Sequence, residues 1–133
     1  MNRSTLRNFM TMLVSGDQHD LTGRQLSILL IVYGETNEQT IKAITQELNI
    51  SKPTISRAVD RLVELNLVDK RKDPKDRRSV IVGQTHDGKI FVNTIEKYLQ
   101  EAREKYFEML FRSPGDMDAP VDRNSYVEFI DRA

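Results

Sequence analysis

The side chains that could carry chemistry in this sequence are clustered cations and hydroxyls. The chain is neutral overall, with 20 Lys and Arg residues against 20 Asp and Glu, but nine of these cations and only five acids fall within residues 51–78. A localised basic segment is the electrostatic footprint that binding to nucleic-acid phosphates requires. A solvated surface held by salt bridges is the alternative that charge alone leaves open.

The sequence contains no pattern typical of an enzyme active site or a metal centre. Its two histidines, His19 and His86, have no second ligand at metal-binding spacing, and its six glycines form no phosphate-binding loop. The absence of cysteine excludes a disulfide, a thiolate zinc site and a cysteine redox sensor. We therefore predict a binding protein that is not an enzyme and needs no cofactor.

Length and hydropathy limit the kind of fold that can position these side chains. A chain of 133 residues is typically one compact domain, here with room for an appended oligomerisation element. The longest apolar run, residues 28–33, is far shorter than the roughly 20 residues of a membrane span. Thr11 interrupts the short apolar stretch after Arg3 and Arg7 and no cleavage site follows, so we expect no signal peptide and a cytoplasmic protein.

Hydrophobic periodicity predicts helices before and within the basic segment. A short amphipathic helix is expected over Thr5–Ser15, and Thr22 with Gln25 forms a capping box for a central helix that runs to about Tyr33. After a loop or short strand, Thr40 caps a helix over residues 41–48, and a turn leads to Ser51 and a helix over residues 52–66. Two short helices joined by a tight turn predict a helix-turn-helix.

A charged hairpin and a long helix follow. Residues 67–72 and 79–85 are predicted strands, with residues 73–78 as the tip between them. Thr85 caps a helix over residues 87–111 with an apolar stripe, and a last short helix is predicted over residues 121–131. The predicted fold is mainly α with a small β-hairpin wing, a winged helix-turn-helix with flanking dimerisation helices.

Three stretches carry a specific resemblance. They read LTGRQL at residues 21–26, ITQELNISKPTISRAVDRL at 44–62 and LVDKRKDPKDRR at 67–78, and they close on Thr85 and Gly88. This order resembles the MarR family of bacterial transcription regulators over about residues 21 to 90. The resemblance implies a sequence-specific regulator of duplex DNA, typically a repressor, with residues 21–86 as the DNA-binding domain and residues 1–20 and 87–133 as dimerisation segments.

In such a protein the helix over residues 52–66 lies in the major groove, where side chains near its N-terminus reach base edges. Arg57 can donate two hydrogen bonds to one guanine, whereas Thr54 and Ser56 can serve a base edge or a phosphate. Helix N-termini favour phosphate contacts at Thr40 and Ser51. The predicted DNA-binding residues of the helices are Thr40, Ser51, Lys52, Thr54, Ser56, Arg57 and Arg61.

The wing is predicted to enter the minor groove, whose negative potential attracts arginine. The resemblance implies that Asp76 orients an arginine and that Arg78 reaches into the groove, with Arg77 beside it. Phosphate contacts are predicted for the remaining wing cations, Lys70, Arg71, Lys72 and Lys75. A hairpin in which Asp73 and Asp76 form salt bridges with the arginines, without any role in DNA binding, is the alternative.

The sequence departs from the family pattern in places. Gln84 precedes Thr85 where these wings commonly carry leucine, and the first and last helices are short for a dimerisation element. A homodimer on an inverted repeat is still expected, because the apolar stripes of the first and the long helix exceed what one small domain can cover. The residues identify no small-molecule effector.

Two other functions are compatible with a winged helix. An adaptor for protein partners would keep this fold while losing DNA contact. It would be expected to present aromatic or apolar anchors, whereas the outer face of the helix over residues 52–66 carries Lys, Thr, Ser and Arg. RNA binding is disfavoured because the sequence offers no aromatic platform for unpaired bases.

Overall fold

The computed structural model describes residues 1–16, 19–34 and 38–111. Within them lie five helices and three short strands, which confirms a mainly α chain with a small β-hairpin wing. The helix predicted over residues 121–131 lies outside the described residues. In chain order the elements are α1 (Arg3–Ser15), α2 (Gly23–Gly34), β1 (Gln39–Thr40), α3 (Ile41–Leu48), α4 (Lys52–Glu64), β2 (Val68–Lys72), β3 (Val80–Gln84) and α5 (His86–Phe111).

The chain divides into two compact units. One, His19–Thr94, holds α2, α3, α4, the three strands and the first residues of α5. The other contains α1 and the part of α5 from Ile95 onward. All predicted DNA-binding residues fall in the His19–Thr94 unit, so this unit alone positions the candidate site.

The core of the His19–Thr94 unit consists of the apolar faces that the periodicity predicted. Helix α4 buries one side, which contains Ile55, Val59 and Leu62, while Val63 at the edge of that side is only half-buried. Other side chains with almost no exposed surface come from α2, α3 and the sheet, namely Ile28, Leu29, Ile44, Leu67, Val68 and Val82. This core fixes α4 with its polar side outward.

Helix α2 begins at the predicted capping box. The Thr22 backbone N–H donates to Gln25 Oε1 at 2.9 Å, and the Gln25 N–H donates to Thr22 Oγ1 at 3.1 Å. Its apolar residues are not buried all round as expected, because Leu30 on the side opposite Ile28 and Val32 keeps 44% of its surface exposed. The helix therefore lies at the edge of the core rather than in the middle of it.

The wing belongs to a three-stranded antiparallel sheet in the order β1-β3-β2. Strands β2 and β3 form the predicted hairpin, with Lys70 opposite Val82 and Lys72 opposite Val80. The added strand, β1, places Thr40 opposite Ile81. Because β1 runs directly into α3, the sheet connects the wing to the first helix of the helix-turn-helix.

Helix α4 is two residues shorter than predicted. Asn66 adopts a left-handed φ of 58°, and the N–H groups of Asn66 and Leu67 turn back to the carbonyls of Val63 and Leu62. A left-handed residue stops the helix and closes its last turn. The chain then enters β2 directly.

Helix α5 begins at His86, where Thr85 acts as the predicted cap. Thr85 Oγ1 accepts from the Gly88 N–H at 3.0 Å and donates to the Asn66 carbonyl at 2.7 Å. Tyr33 Oη lies at the same place, where it donates to the Leu67 carbonyl at 2.7 Å and accepts from the Thr85 N–H at 2.9 Å. This network joins the end of α2, the start of β2 and the start of α5.

In the second unit, the apolar face of α1 is left largely uncovered, as the sequence analysis expected. Asn2 caps this helix through a bond from the Thr5 N–H, and Thr5 is its buried residue. The predicted apolar face is largely open, since Leu6, Met10 and Val14 are exposed. None of the helices in residues 1–16, 19–34 and 38–111 combines the length and apolar character that crossing a membrane requires.

Candidate nucleic-acid interface

The turn between α3 and α4 has the geometry of a helix-turn-helix. Thr40 caps α3 by accepting from the Ala43 N–H at 3.0 Å, as predicted. At the other end, Asn49 takes a left-handed φ of 53°, and the Thr45 carbonyl accepts from the N–H groups of Asn49 and Ile50. Asparagine is one of the few residues besides glycine that tolerates this conformation. The tight turn fixes where α4 starts.

Ser51 occupies the N-cap position of α4 but does not cap it in the predicted way. Its hydroxyl bonds to the Thr54 hydroxyl at 2.9 Å, and no side-chain oxygen accepts from the first-turn N–H groups. Pro53 in that turn contributes no N–H, so the donors that stay uncapped are few. Ser51, Lys52 and Pro53 are exposed, which leaves this helix end open to a ligand.

The outer side of α4 presents the predicted polar residues. Lys52, Arg57 and Arg61 are exposed, and Thr54 and Ser56 are half-buried between them and the core. Arg61 Nη1 lies 3.0 Å from Glu64 Oε2 within the same helix. Lys52 and Arg57 have no carboxylate partner among the residues that the structure describes.

The base of the wing is held by ion pairs that the sequence analysis did not predict. Lys70 Nζ of β2 pairs with Asp60 Oδ1 of α4, and Arg71 Nη2 pairs with Glu38 Oε1, the residue before β1. The hydrogen bond that Arg71 donates to the Glu38 carboxylate, reinforced by the charge of that carboxylate, raises the pKa of the Arg71 guanidinium above its ordinary value. Alternation along β2 indicates only that Lys70 and Arg71 face opposite sides of the strand, and it does not identify the partner of either residue.

The tip of the wing is ordered by two aspartates that bind backbone groups. Asp73 Oδ1 accepts from the Lys75 N–H at 2.9 Å, and Asp76 Oδ1 accepts from the Arg78 N–H at 3.1 Å. Asp76 therefore positions Arg78 through its main chain. Within the described hairpin, neither aspartate forms an ion pair with an arginine, so the geometry does not favour the alternative of a salt-bridged tip.

The cations of the wing are consequently divided into two groups. Four wing cations are exposed and lack a carboxylate partner among the described residues, whereas Lys70 is paired; the four are Lys72, Lys75, Arg77 and Arg78.

Gln84, the departure from the family pattern, anchors β3 by donating to the Val32 carbonyl at 3.0 Å. A polar contact thus replaces the apolar one that leucine would make.

The described ranges contain no group of three or more potential metal ligands.

A helix-turn-helix with an exposed polar second helix, followed by a basic hairpin on the same compact unit, defines a winged-helix domain. A model of the MarR family matches residues 19–79, from just before α2 to the end of the wing tip. Residues 19–79, which hold the helix-turn-helix and the wing tip, are therefore similar to the MarR family.

Solved structures share this fold. The chain is similar to a MarR transcriptional regulator from Methanosarcina mazei Go1, at 25% identity and a TM-score of 0.60, over 97% of this chain and 81% of that one. The YusO protein from Bacillus subtilis (16% identity, TM-score 0.67, 97% and 85% covered) and the transcriptional regulator Tm0710 from Thermotoga maritima (20%, 0.65, 96% and 82%) share the fold. No curated protein sequence matches the chain.

Proposed function

We propose that this chain is a homodimeric transcription regulator, most simply a repressor, that binds duplex DNA at an inverted repeat. In this proposal α4 lies in the major groove and the wing tip, residues 73–78, lies in the minor groove. Repression needs only occupancy of an operator, and a protein with this role acts where the DNA is, in the cytoplasm.

The observation that carries the proposal is the chemistry of the exposed side of α4. Lys52 and Arg57 are exposed with no carboxylate partner in the described part of the chain, so their hydrogen-bond donors are available to a ligand. Arg57 lies in the second turn of α4, where a helix in the major groove brings side chains to base edges. Thr54 and Ser56 add short hydroxyl donors and acceptors beside it.

The wing supports the same proposal. Its unpaired cations supply contacts to phosphates, and the Asp76 bond to the Arg78 N–H fixes the backbone from which Arg78 would enter the minor groove. A narrow minor groove binds arginine through its enhanced negative potential, so Arg77 and Arg78 are suited to it. Thr40 is occupied as a cap and partly buried, and it would contact phosphate only through its helix end.

The same surface argues against a protein-interaction adaptor. Hot spots of protein interfaces are enriched in large aromatic side chains set in well-packed pockets. Between residues 38 and 89, which include α3, α4 and the wing, the structure shows no exposed large hydrophobic side chain. A polar and cationic surface of this kind suits phosphates and base edges better than an apolar partner.

Dimerisation is supported by apolar side chains of the second unit. Leu6, Met10 and Val14 of α1 are exposed at helical spacing, and the consecutive residues Met109, Leu110 and Phe111 are exposed at the end of α5. Such residues are costly to leave in water in a single chain. A two-fold homodimer would cover them and would present two copies of α4 to one duplex.

The proposal is tested by selecting bound sequences from a random duplex pool with the full chain at a stated salt concentration. We expect an enriched inverted repeat whose half-sites lie about 10 bp apart, or a multiple of that spacing, centre to centre. Enrichment of no sequence, at salt low enough to permit non-specific binding, would refute the proposal. Light scattering of the free chain reports the oligomeric state independently.

A further inference from the structure

The first wing strand carries three successive cations that differ in their partners. Lys70 pairs with Asp60 of α4, Arg71 pairs with Glu38, and Lys72 has no carboxylate partner among the described residues. Lys70 and Lys72 share one face of β2, and Arg71 lies on the other. Strand β2 is therefore held from both faces by carboxylates from two distant parts of the chain.

The Asp60–Lys70 pair connects the two parts of the proposed DNA-binding surface. Asp60 follows Arg57 by three residues, so the two side chains are neighbours on the exposed side of α4. Lys70 lies in β2, which leads directly into the wing tip. The pair thus bridges from the helix proposed for the major groove to the hairpin proposed for the minor groove.

Neither stability nor phosphate binding accounts for this pair. Its side chains keep 46% and 51% of their surface exposed, and exposed ion pairs contribute little to folding. On a surface that binds phosphates, Asp60 adds a repulsive charge and occupies the Lys70 ammonium. A carboxylate at this position weakens the binding of phosphates, unless it also holds a neighbouring part of the DNA-binding surface in position.

We propose that Asp60 and Lys70 are positioning residues that set the placement of the wing relative to α4, and that Lys70 is not an independent phosphate contact. The proposal rests on the proposed function, because positioning is measured through DNA binding. It replaces the expectation from the sequence that Lys70 contacts phosphate directly. Lys72, on the same face of the same strand, keeps that role.

The test compares uncharged variants on the selected operator. The variants Asp60→Asn and Lys70→Gln should each weaken binding about two- to five-fold per bound subunit, the size expected for an exposed pair. The double variant should be no weaker than either single variant, since one interaction is lost in all three. Lys70→Arg, which keeps the pair, should bind like the wild type.

Two matched controls separate positioning from charge. Glu64→Gln removes another acid from the exposed side of α4, whose partner Arg61 belongs to the same helix, and should leave binding unchanged or strengthen it. Lys72→Gln should lower the slope of log K against log salt by about 0.9, as expected for the loss of one phosphate contact, whereas Lys70→Gln should leave the slope unchanged. Hydroxyl-radical footprints of Asp60→Asn should lose protection at the wing positions and keep it at the α4 positions.

The direction in which Asp60→Asn changes the affinity for DNA distinguishes a positioning role of Lys70 from a phosphate contact. If Lys70 were a phosphate contact, removing Asp60 would release a cation and remove a repulsive charge, so binding would become tighter. Tighter or unchanged binding by Asp60→Asn, or a slope lowered in Lys70→Gln, overturns the positioning role while the wild type still binds its operator. A wild type that selects no sequence overturns the proposed function instead, and the positioning role with it. Thermal unfolding of each variant identifies any loss of binding that comes from unfolding.

Discussion

Replacing Gly88 with alanine tests the packing where α2, β2 and α5 meet. An added Cβ at this position would overlap Tyr33 Oη and the Leu67 carbonyl oxygen, and it would lie 2.6 Å from Tyr33 Cζ. Tyr33 is held there by bonds to the Leu67 carbonyl and from the Thr85 N–H. The tyrosine ring can move, but the Leu67 carbonyl belongs to the backbone at the start of β2 and has little freedom.

The expected loss of stability follows from those contacts. Each of the two hydrogen bonds is worth about 0.5–1.5 kcal/mol, and a buried backbone group left without a partner costs about 1–3 kcal/mol. Alanine gains at most about 1 kcal/mol over glycine from helix propensity. We therefore expect Gly88→Ala to lower the free energy of unfolding by about 2–4 kcal/mol.

Urea denaturation followed by circular dichroism measures this change. Gly23→Ala is the matched control, because Gly23 also lies in the first turn of a helix and an added Cβ there meets nothing within 4 Å. It should be neutral or slightly stabilising. A Gly88→Ala protein as stable as the wild type, or more stable, would show that propensity outweighs the overlap and that the network around Tyr33 is not rigid.

Two further predictions concern specificity and the end of α4. Arg57→Ala should relax base preference at one operator position by about 1–3 kcal/mol. Lys72→Ala should instead weaken binding to all sequences and lower the slope of log K against log salt by about one unit. If Arg57→Ala keeps the wild-type preference among single-base variants of the operator, the role of Arg57 is contradicted. Asn66→Ala should lower the free energy of unfolding by about 1–2 kcal/mol because of its left-handed φ of 58°, while Asn66→Gly should be nearly neutral, as measured by urea midpoints; equal losses in both variants would point instead to the side-chain bond from Asn66 to Asp87.

Most of the secondary structure could be predicted from the sequence because its signals are local. The capping box of Thr22 and Gln25 and the caps at Thr40 and Thr85 each lie three residues from their partners, and all three are present. Errors occurred where a local pattern admits two outcomes. The Ser51 hydroxyl could bond either to a backbone N–H of the first turn or to the Thr54 hydroxyl, and in the structure it bonds to the Thr54 hydroxyl.

The exposure of one side of α2 could not be predicted from local patterns. Leu30 has the residue type of a core, yet it keeps 44% of its surface exposed. Apolar periodicity predicts that a helix has a face to bury, but it does not predict which neighbour covers that face. The tertiary arrangement of the described chain decides this, and a second copy would change it.

By itself the sequence determined the order of elements, the polar side of α4 and the basic character of the hairpin, because these depend on residues within a few positions of one another. Only the tertiary structure decided which cations are already paired. Asp60 is ten residues from Lys70, and Glu38 is 33 residues from Arg71, so no spacing along the chain marks either pair. Ion pairs between elements form where the packed core happens to bring opposite charges together, and that position is a property of the whole fold.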